Sequence, residues 1–175
     1  MTLDQLGDKT RLRLLVAGDG PRQEAMAAYL RRHSMTDQVN LLGRLDRHEV
    51  RHLLGVSHVF LAPADLESFG IAALEARCVG LPVVAKADSG VSEFIRHERE
   101  GLLCGSDDDM ADAVVRLVRD HELRQRIAAH NRTVDCPVGW GALLQRTDAA
   151  YASACLAQAT GAQTKSRRVP ERQRS

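Results

Sequence analysis

Glu67 and Glu75 stand eight positions apart in the stretch LESFGIAALEA, flanking the point where an extended segment turns into a helix. The residues before them, Val59-Phe60-Leu61-Ala62, are apolar and read as a buried strand. Ser68-Phe69-Gly70 then opens a helix running to about Val79, and Gly80-Leu81-Pro82 stops it. Backbone N–H groups at such a helix start, with the positive end of the helix dipole, form an anion site. A carboxylate before the turn and a second two turns into the helix can accept hydroxyl hydrogen bonds on either side of a bound phosphate. That combination suits a ligand that is both phosphorylated and hydroxyl-rich, such as a nucleotide sugar.

The elements that must hold these groups alternate along the chain. Apolar runs at 12–17, 39–42, 59–62, 82–86 and 101–104 read as strands. Helical spacing follows each of them, at 21–33, 47–54, 70–79, 91–97 and 108–119. Near-continuous apolar strands alternating with helices predict an α/β fold, a parallel sheet covered on both faces. Helices then continue without strands, at 122–132 and 139–157. The last residues, 158–175, are polar and Arg-rich without apolar periodicity, and read as a disordered tail.

Bulk properties exclude several classes. A chain of 175 residues is long enough for one domain with a substantial core. A net charge of +1 and only one Trp, two Tyr and three Phe leave no basic stripe or stacking platform for nucleic acid. No apolar run reaches the roughly 18–20 residues needed to cross a bilayer, and no signal peptide opens the chain. Cys78, Cys104, Cys136 and Cys155 are widely spaced without a CxxC pair, which fits reduced thiols and a cytoplasmic protein. Gly18-Asp19-Gly20-Pro21 lacks the third glycine of a dinucleotide fingerprint. It reads as a strand-to-helix turn whose glycines still let a phosphate or sugar approach the backbone.

With strands and glutamates placed, the chain resembles the C-terminal, donor-binding domain of retaining GT-B glycosyltransferases, most of all the large bacterial group one family, family four. LRLLVAGDGP, VNLLGRL, HVFLAPADLESFGIAALEARCVGLPVVA, SGVSEFI and EGLLC run in that family's order. The most specific part is the E-x7-E motif of Glu67 and Glu75 followed by GLPVVA. The resemblance implies a Rossmann-like doubly wound sheet over 12–157, binding a UDP- or GDP-sugar, with 1–11 as a poorly structured leader. It implies that Glu67 is the catalytic carboxylate, bonding donor-sugar hydroxyls near the anomeric carbon. Ser68, Phe69, Gly70 and Ile71 would face sugar and pyrophosphate, largely through backbone N–H groups. Glu75 would bind the ribose, and Arg44 and Leu45 would border the nucleobase. Hexosyl transfer with retention, without a metal or other cofactor, is the implied activity of the full-length parent. A non-catalytic nucleotide-sugar module, or an inactive fragment, is the alternative.

The family's first strand and its GR…K element, which carries the phosphate-binding Arg and Lys, have no counterpart here. Neither does the N-terminal acceptor-binding domain. In strand order 3-2-1-4-5-6 the first strand is central. The strands at 12–17 and 39–42 are therefore expected either to close directly on those at 59–62, 82–86 and 101–104, or to leave an open edge that favours self-association.

Three further patterns have simpler readings. His48-Glu49-Val50-Arg51-His52 matches HExxH, a zinc motif that would need a third ligand such as Glu67 or Glu75; the polar, solvent-facing side of a short helix is the favoured explanation. Asp107-Asp108-Asp109 resembles a metal-holding DxD but stands where a helix start wants acids. Arg167, Arg168, Arg172 and Arg174 form a solvated tail, with peripheral association of the parent at the inner face of the membrane left open.

Overall fold

Strands form at the apolar runs, and three of the helices start where an acidic or hydroxyl side chain, that of Asp46, Ser106 or Asp120, caps them. The structure, a computed structural model, describes residues 12–134. The expected leader at 1–11, the helix at 139–157 and the tail at 158–175 lie outside the described residues. In chain order the elements are β1 (Leu14–Ala17), α1 (Gln23–Arg32), β2 (Val39–Gly43), α2 (Arg47–Val56), β3 (Phe60–Ala62) and α3 (Ile71–Cys78). Then come β4 (Val83–Lys86), β5 (Gly101–Cys104), α4 (Asp107–Arg119) and α5 (His121–Thr133).

All strand pairing is parallel, but it is split into two sheets, β1–β2 and β3–β4–β5. One continuous sheet would need β1 and β3 to meet, and among the described residues they do not pair. Of the two outcomes expected for a pair separated from the other strands, direct closure is not found among the described residues.

Burial follows the split. Val83, Val84 and Ala85 of β4 are fully buried, as a central strand covered on both faces must be. Leu14 of β1 is 40% exposed and Leu42 of β2 is 37% exposed, and the run at 59–62, expected as a buried strand, is half-buried along β3. A two-stranded ribbon offers too little surface to enclose both of its faces. The core lies instead between β4–β5 and the last two helices, where Val84, Leu102 and Cys104 meet Met110, Ala113, Leu117, Leu123 and Ile127. Met110, Ala113 and Leu117 recur at helical spacing, giving α4 one apolar stripe.

The helix starts follow local chemistry. Asp46 caps α2 by accepting from the N–H groups of His48 and Glu49, while Glu49 accepts from the Asp46 N–H at 2.7 Å. This reciprocal capping box fixes the start of α2. Ser106 accepts from the Asp109 N–H at 3.1 Å, and Asp107, Asp108 and Asp109 fill the first turn of α4. These acids therefore oppose the helix dipole.

The segment at 91–97, expected as a helix, forms only a 3-10 turn at Gly90–Glu93. The chain has to reach β5 within a few residues, and competing bonds end the turn. The Arg96 N–H donates to the Glu100 side chain at 2.9 Å, and Glu98 adopts a positive φ of 63°. Phe94 and Ile95 are buried, so this short connection closes the core.

Candidate functional site

Parallel strands point their carboxyl ends the same way, and in open α/β sheets ligands bind at that end. The loop after β3 carries Glu67, Ser68, Phe69 and Gly70 to this end of the three-stranded sheet and delivers them to the start of α3. Glu75 lies in the second turn of α3 with its side chain exposed. Glu67 is half-buried, and Ser68 and Ile71 are exposed.

The loop is held from several directions. Phe69 packs on the buried Phe94 with ring centroids 5.6 Å apart. The Gly90 N–H donates to the Glu67 main-chain carbonyl at 2.8 Å. Gly70 has φ +82°, a left-handed conformation that favours glycine, and a β-carbon there would collide with the Val91 side chain. At Gly90 a β-carbon would run into the Ser68 carbonyl and the Phe69 nitrogen. Two glycines thus let the turn after β4 lie directly against the Glu67 loop.

The mouth of α3 differs from the sequence expectation. Glu67 Oε1 accepts from the Gly70 N–H at 2.9 Å and from the Phe69 N–H at 3.3 Å. Two of the amides expected to face a ligand, those of Phe69 and Gly70, are therefore engaged by the chain's own carboxylate. The cause is proximity: a carboxylate two and three residues ahead of these N–H groups is the nearest anion to the helix start. The N–H groups of Ile71 and Ala72, on the first turn of α3, donate to no acceptor among the described residues.

Arg44 and Leu45 follow β2, at the carboxyl end of the other sheet. Arg44 is exposed, with its Nε 3.6 Å from Asp19 in the glycine turn after β1, and Leu45 is half-buried. The Gly18 N–H donates to the Gly43 carbonyl at 2.7 Å, so the two loops are joined. Arg44 thus stands beside the glycine turn rather than apart from it.

Sequence reasoning missed Lys86. It ends β4, is 9% exposed, and sets its ammonium 2.5 Å from Asp107 and 3.3 Å from Asp65. Hydrogen bonding to Asp107 outweighs burial and, with Asp65, raises its pKa above the ordinary lysine value. A single lysine closing the apolar run Val83-Val84-Ala85 was the available signal.

A second buried charge, Glu100, precedes β5 at the opposite end of the strands. Burial opposes its ionisation, but bonds from the Arg96 guanidinium and backbone and from His130 prevail and hold its pKa at about 2. Arg96 lies at 2.7 Å, His130 at 3.0 Å and the buried Arg77 at 3.8 Å. Asn131 of α5 donates to the carbonyls of Leu81 and Glu100 at 2.8 and 2.9 Å, which ties α5 to the entries of β4 and β5.

No group of three His, Cys, Asp or Glu among the described residues is arranged to hold a metal ion. Glu49 of the HExxH match serves the capping box, and His48 and His52 are exposed. No helix among the described residues is long and apolar enough to cross a membrane.

Comparison with known proteins gives this geometry its context. The chain is 33% identical over 122 residues to N-acetyl-alpha-D-glucosaminyl L-malate synthase of Bacillus anthracis, covering 69% of this chain and 32% of that protein. It is 26% identical over 146 residues to the gpi3 subunit of phosphatidylinositol N-acetylglucosaminyltransferase of Schizosaccharomyces pombe, covering 83% and 32% respectively. The chain thus spans about a third of the length of these curated relatives. Among solved structures, sucrose-phosphate synthase of Thermosynechococcus elongatus superposes with a TM-score of 0.70 at 23% identity, over 83% of this chain and 39% of that one. Anabaena HepE, in complex with UDP and glucose, superposes with a TM-score of 0.63 at 22% identity, over 69% and 34%. These neighbours share the Rossmann-like α/β fold of GT-B glycosyltransferases. The family described as Glycosyl transferases group 1 matches residues 2–134, which takes in every strand and helix described above, and the chain belongs to that family.

Proposed function

We propose that this chain is the donor-binding part of a glycosyltransferase that moves a hexosyl group from a UDP- or GDP-sugar to an acceptor, with retention of anomeric configuration. The observation that carries the reading is the Glu67 loop itself. A half-buried carboxylate stands at the mouth of α3, at the carboxyl end of a parallel strand, with Glu75 two turns further on. Anabaena HepE, of the same fold, binds UDP and glucose, which supports a nucleotide-sugar ligand.

Breaking the bond between sugar and phosphate leaves negative charge on the nucleoside diphosphate and makes the sugar oxocarbenium-like. Amides and a helix dipole aimed at the phosphates act most strongly as that charge develops, and groups that act so speed the reaction. In this reading the Ile71 and Ala72 amides receive the diphosphate first. As the Glu67 carboxylate turns from the Phe69 and Gly70 amides to the sugar hydroxyls, the donor takes those amides as well. Glu75 accepts from the ribose, and Arg44 and Leu45 border the base. The chemistry asked of these residues needs no metal.

Calorimetric titration of the chain with UDP- and GDP-sugars tests this. Glu75→Ala is expected to abolish measurable binding, and Glu67→Ala to weaken it by about tenfold or more, the scale of a charged hydrogen bond. Unchanged affinity in both variants rejects the reading. The second reading is a nucleotide-sugar binding module without turnover of its own. Donor hydrolysis or transfer by this chain alone would reject that one.

A further inference from the structure

Lys86 occupies a position that a lysine seldom holds. It ends the fully buried strand β4, its side chain is 11% exposed, and its ammonium emerges at the end of the sheet where the Glu67 loop lies. A cation so placed needs partners, and two exposed acids provide them, Asp65 at 3.3 Å and Asp107 at 2.5 Å. Asp107 opens α4, whereas Asp65 sits in the loop after β3, two residues before Glu67. The same short turn after β4 reaches that loop again, through the Gly90 N–H on the Glu67 carbonyl at 2.8 Å. Ser89 Oγ donates to the Lys86 carbonyl at 2.8 Å and stiffens the turn between the two attachments.

We infer that Lys86 is a positioning residue for the sugar-binding carboxylate: through Asp65 it holds the loop that sets where Glu67 points. The inference rests on the sugar-binding reading of Glu67 given above. A purely structural ion pair would affect the whole fold evenly. A positioning role instead concentrates its effect on the sugar, because Glu67 meets the sugar while α3 meets the diphosphate.

The experiment uses the full chain with UDP-N-acetylglucosamine and UDP as probes, and amide hydrogen exchange as a second readout. Lys86→Met keeps the buried stem and removes the charge. Asp65→Asn alters only an exposed side chain. Each is expected to lower affinity for UDP-N-acetylglucosamine about tenfold while changing UDP affinity by less than about twofold. Neither should add to the loss in Glu67→Ala. Both should speed exchange of the Phe69 and Gly70 amides about tenfold, leaving the amides of β4 and β5 unchanged. Equal losses for UDP and the sugar nucleotide, or additive losses with Glu67→Ala, would overturn the positioning role. If Glu67→Ala weakens sugar binding and Lys86→Met does not, this inference fails while the proposed function stands. If the unaltered chain binds neither probe, the proposed function fails, and unchanged exchange at Phe69 and Gly70 in Lys86→Met would sink the inference too.

Discussion

Glu100 illustrates how a single side chain can set the acid limit of the protein. It is fully buried, ionised against Arg96, Arg77 and His130, with its pKa lowered to about 2. A carboxylate whose folded pKa lies below its unfolded value adds stability at pH values above the unfolded value. That stability is lost as pH falls toward the folded value. Urea midpoints of the unaltered chain are thus expected to fall between pH 5 and pH 2, and Glu100→Gln should flatten that slope. At neutral pH the same substitution removes the buried carboxylate that Arg96, His130 and Arg77 share and is expected to cost about 3 kcal/mol. None of this was legible beforehand, because Glu100 lies in a polar stretch, Arg96-His97-Glu98-Arg99-Glu100, that reads as solvated surface. The placement of Glu67 and Glu75 at a strand-to-helix junction was legible from the apolar run before them and the helical spacing after it. What spacing could not reveal is that Glu67 occupies two amides of that junction, a matter of which way one side chain turns.

At the level of elements, the sequence was most informative where one local rule dominated. The run at 101–104 forms β5 within those bounds, and the start of α2 follows from Asp46 and Glu49. Removing that cap in Asp46→Ala is expected to cost about 1 kcal/mol, read from the shift in urea midpoint. The segment after β4 was misread because helical spacing at 91–97 reflects burial of Val91, Phe94 and Ile95, which a 3-10 turn achieves as well. This turn has little freedom. Gly90→Ala places a methyl group against the Ser68 carbonyl and Phe69 nitrogen, and backbone cannot yield as a flexible side chain would. We expect a loss of about 2 kcal/mol or more, with sugar-nucleotide binding reduced beyond what partial unfolding explains. Chemical denaturation and titration on the same samples separate the two effects.

For the molecule as a whole, the two sheets are unequally protected. β4 has three fully buried residues, whereas β1 and β2 expose Leu14 and Leu42. Amides of β1 and β2 are expected to exchange at least about tenfold faster than those of β4 and β5, since local opening is easiest where few apolar contacts close over the backbone. Strand–helix alternation disclosed the α/β class and the parallel pairing. Strand order left direct closure and division both open, and no residue decided between them. β1 and β3 each present an edge that no described strand covers, and such edges pair with other chains. Sedimentation velocity is expected to show association that rises with protein concentration; a strict monomer with one sharp melt above about 60 °C would contradict it. There is a practical corollary for anyone heating this protein. Once the exposed ribbon loosens, intermolecular pairing outruns its return, so clouding should precede full unfolding. The apparent melting point will then climb with scan rate, and shelf life will be governed by a rate constant instead of an equilibrium.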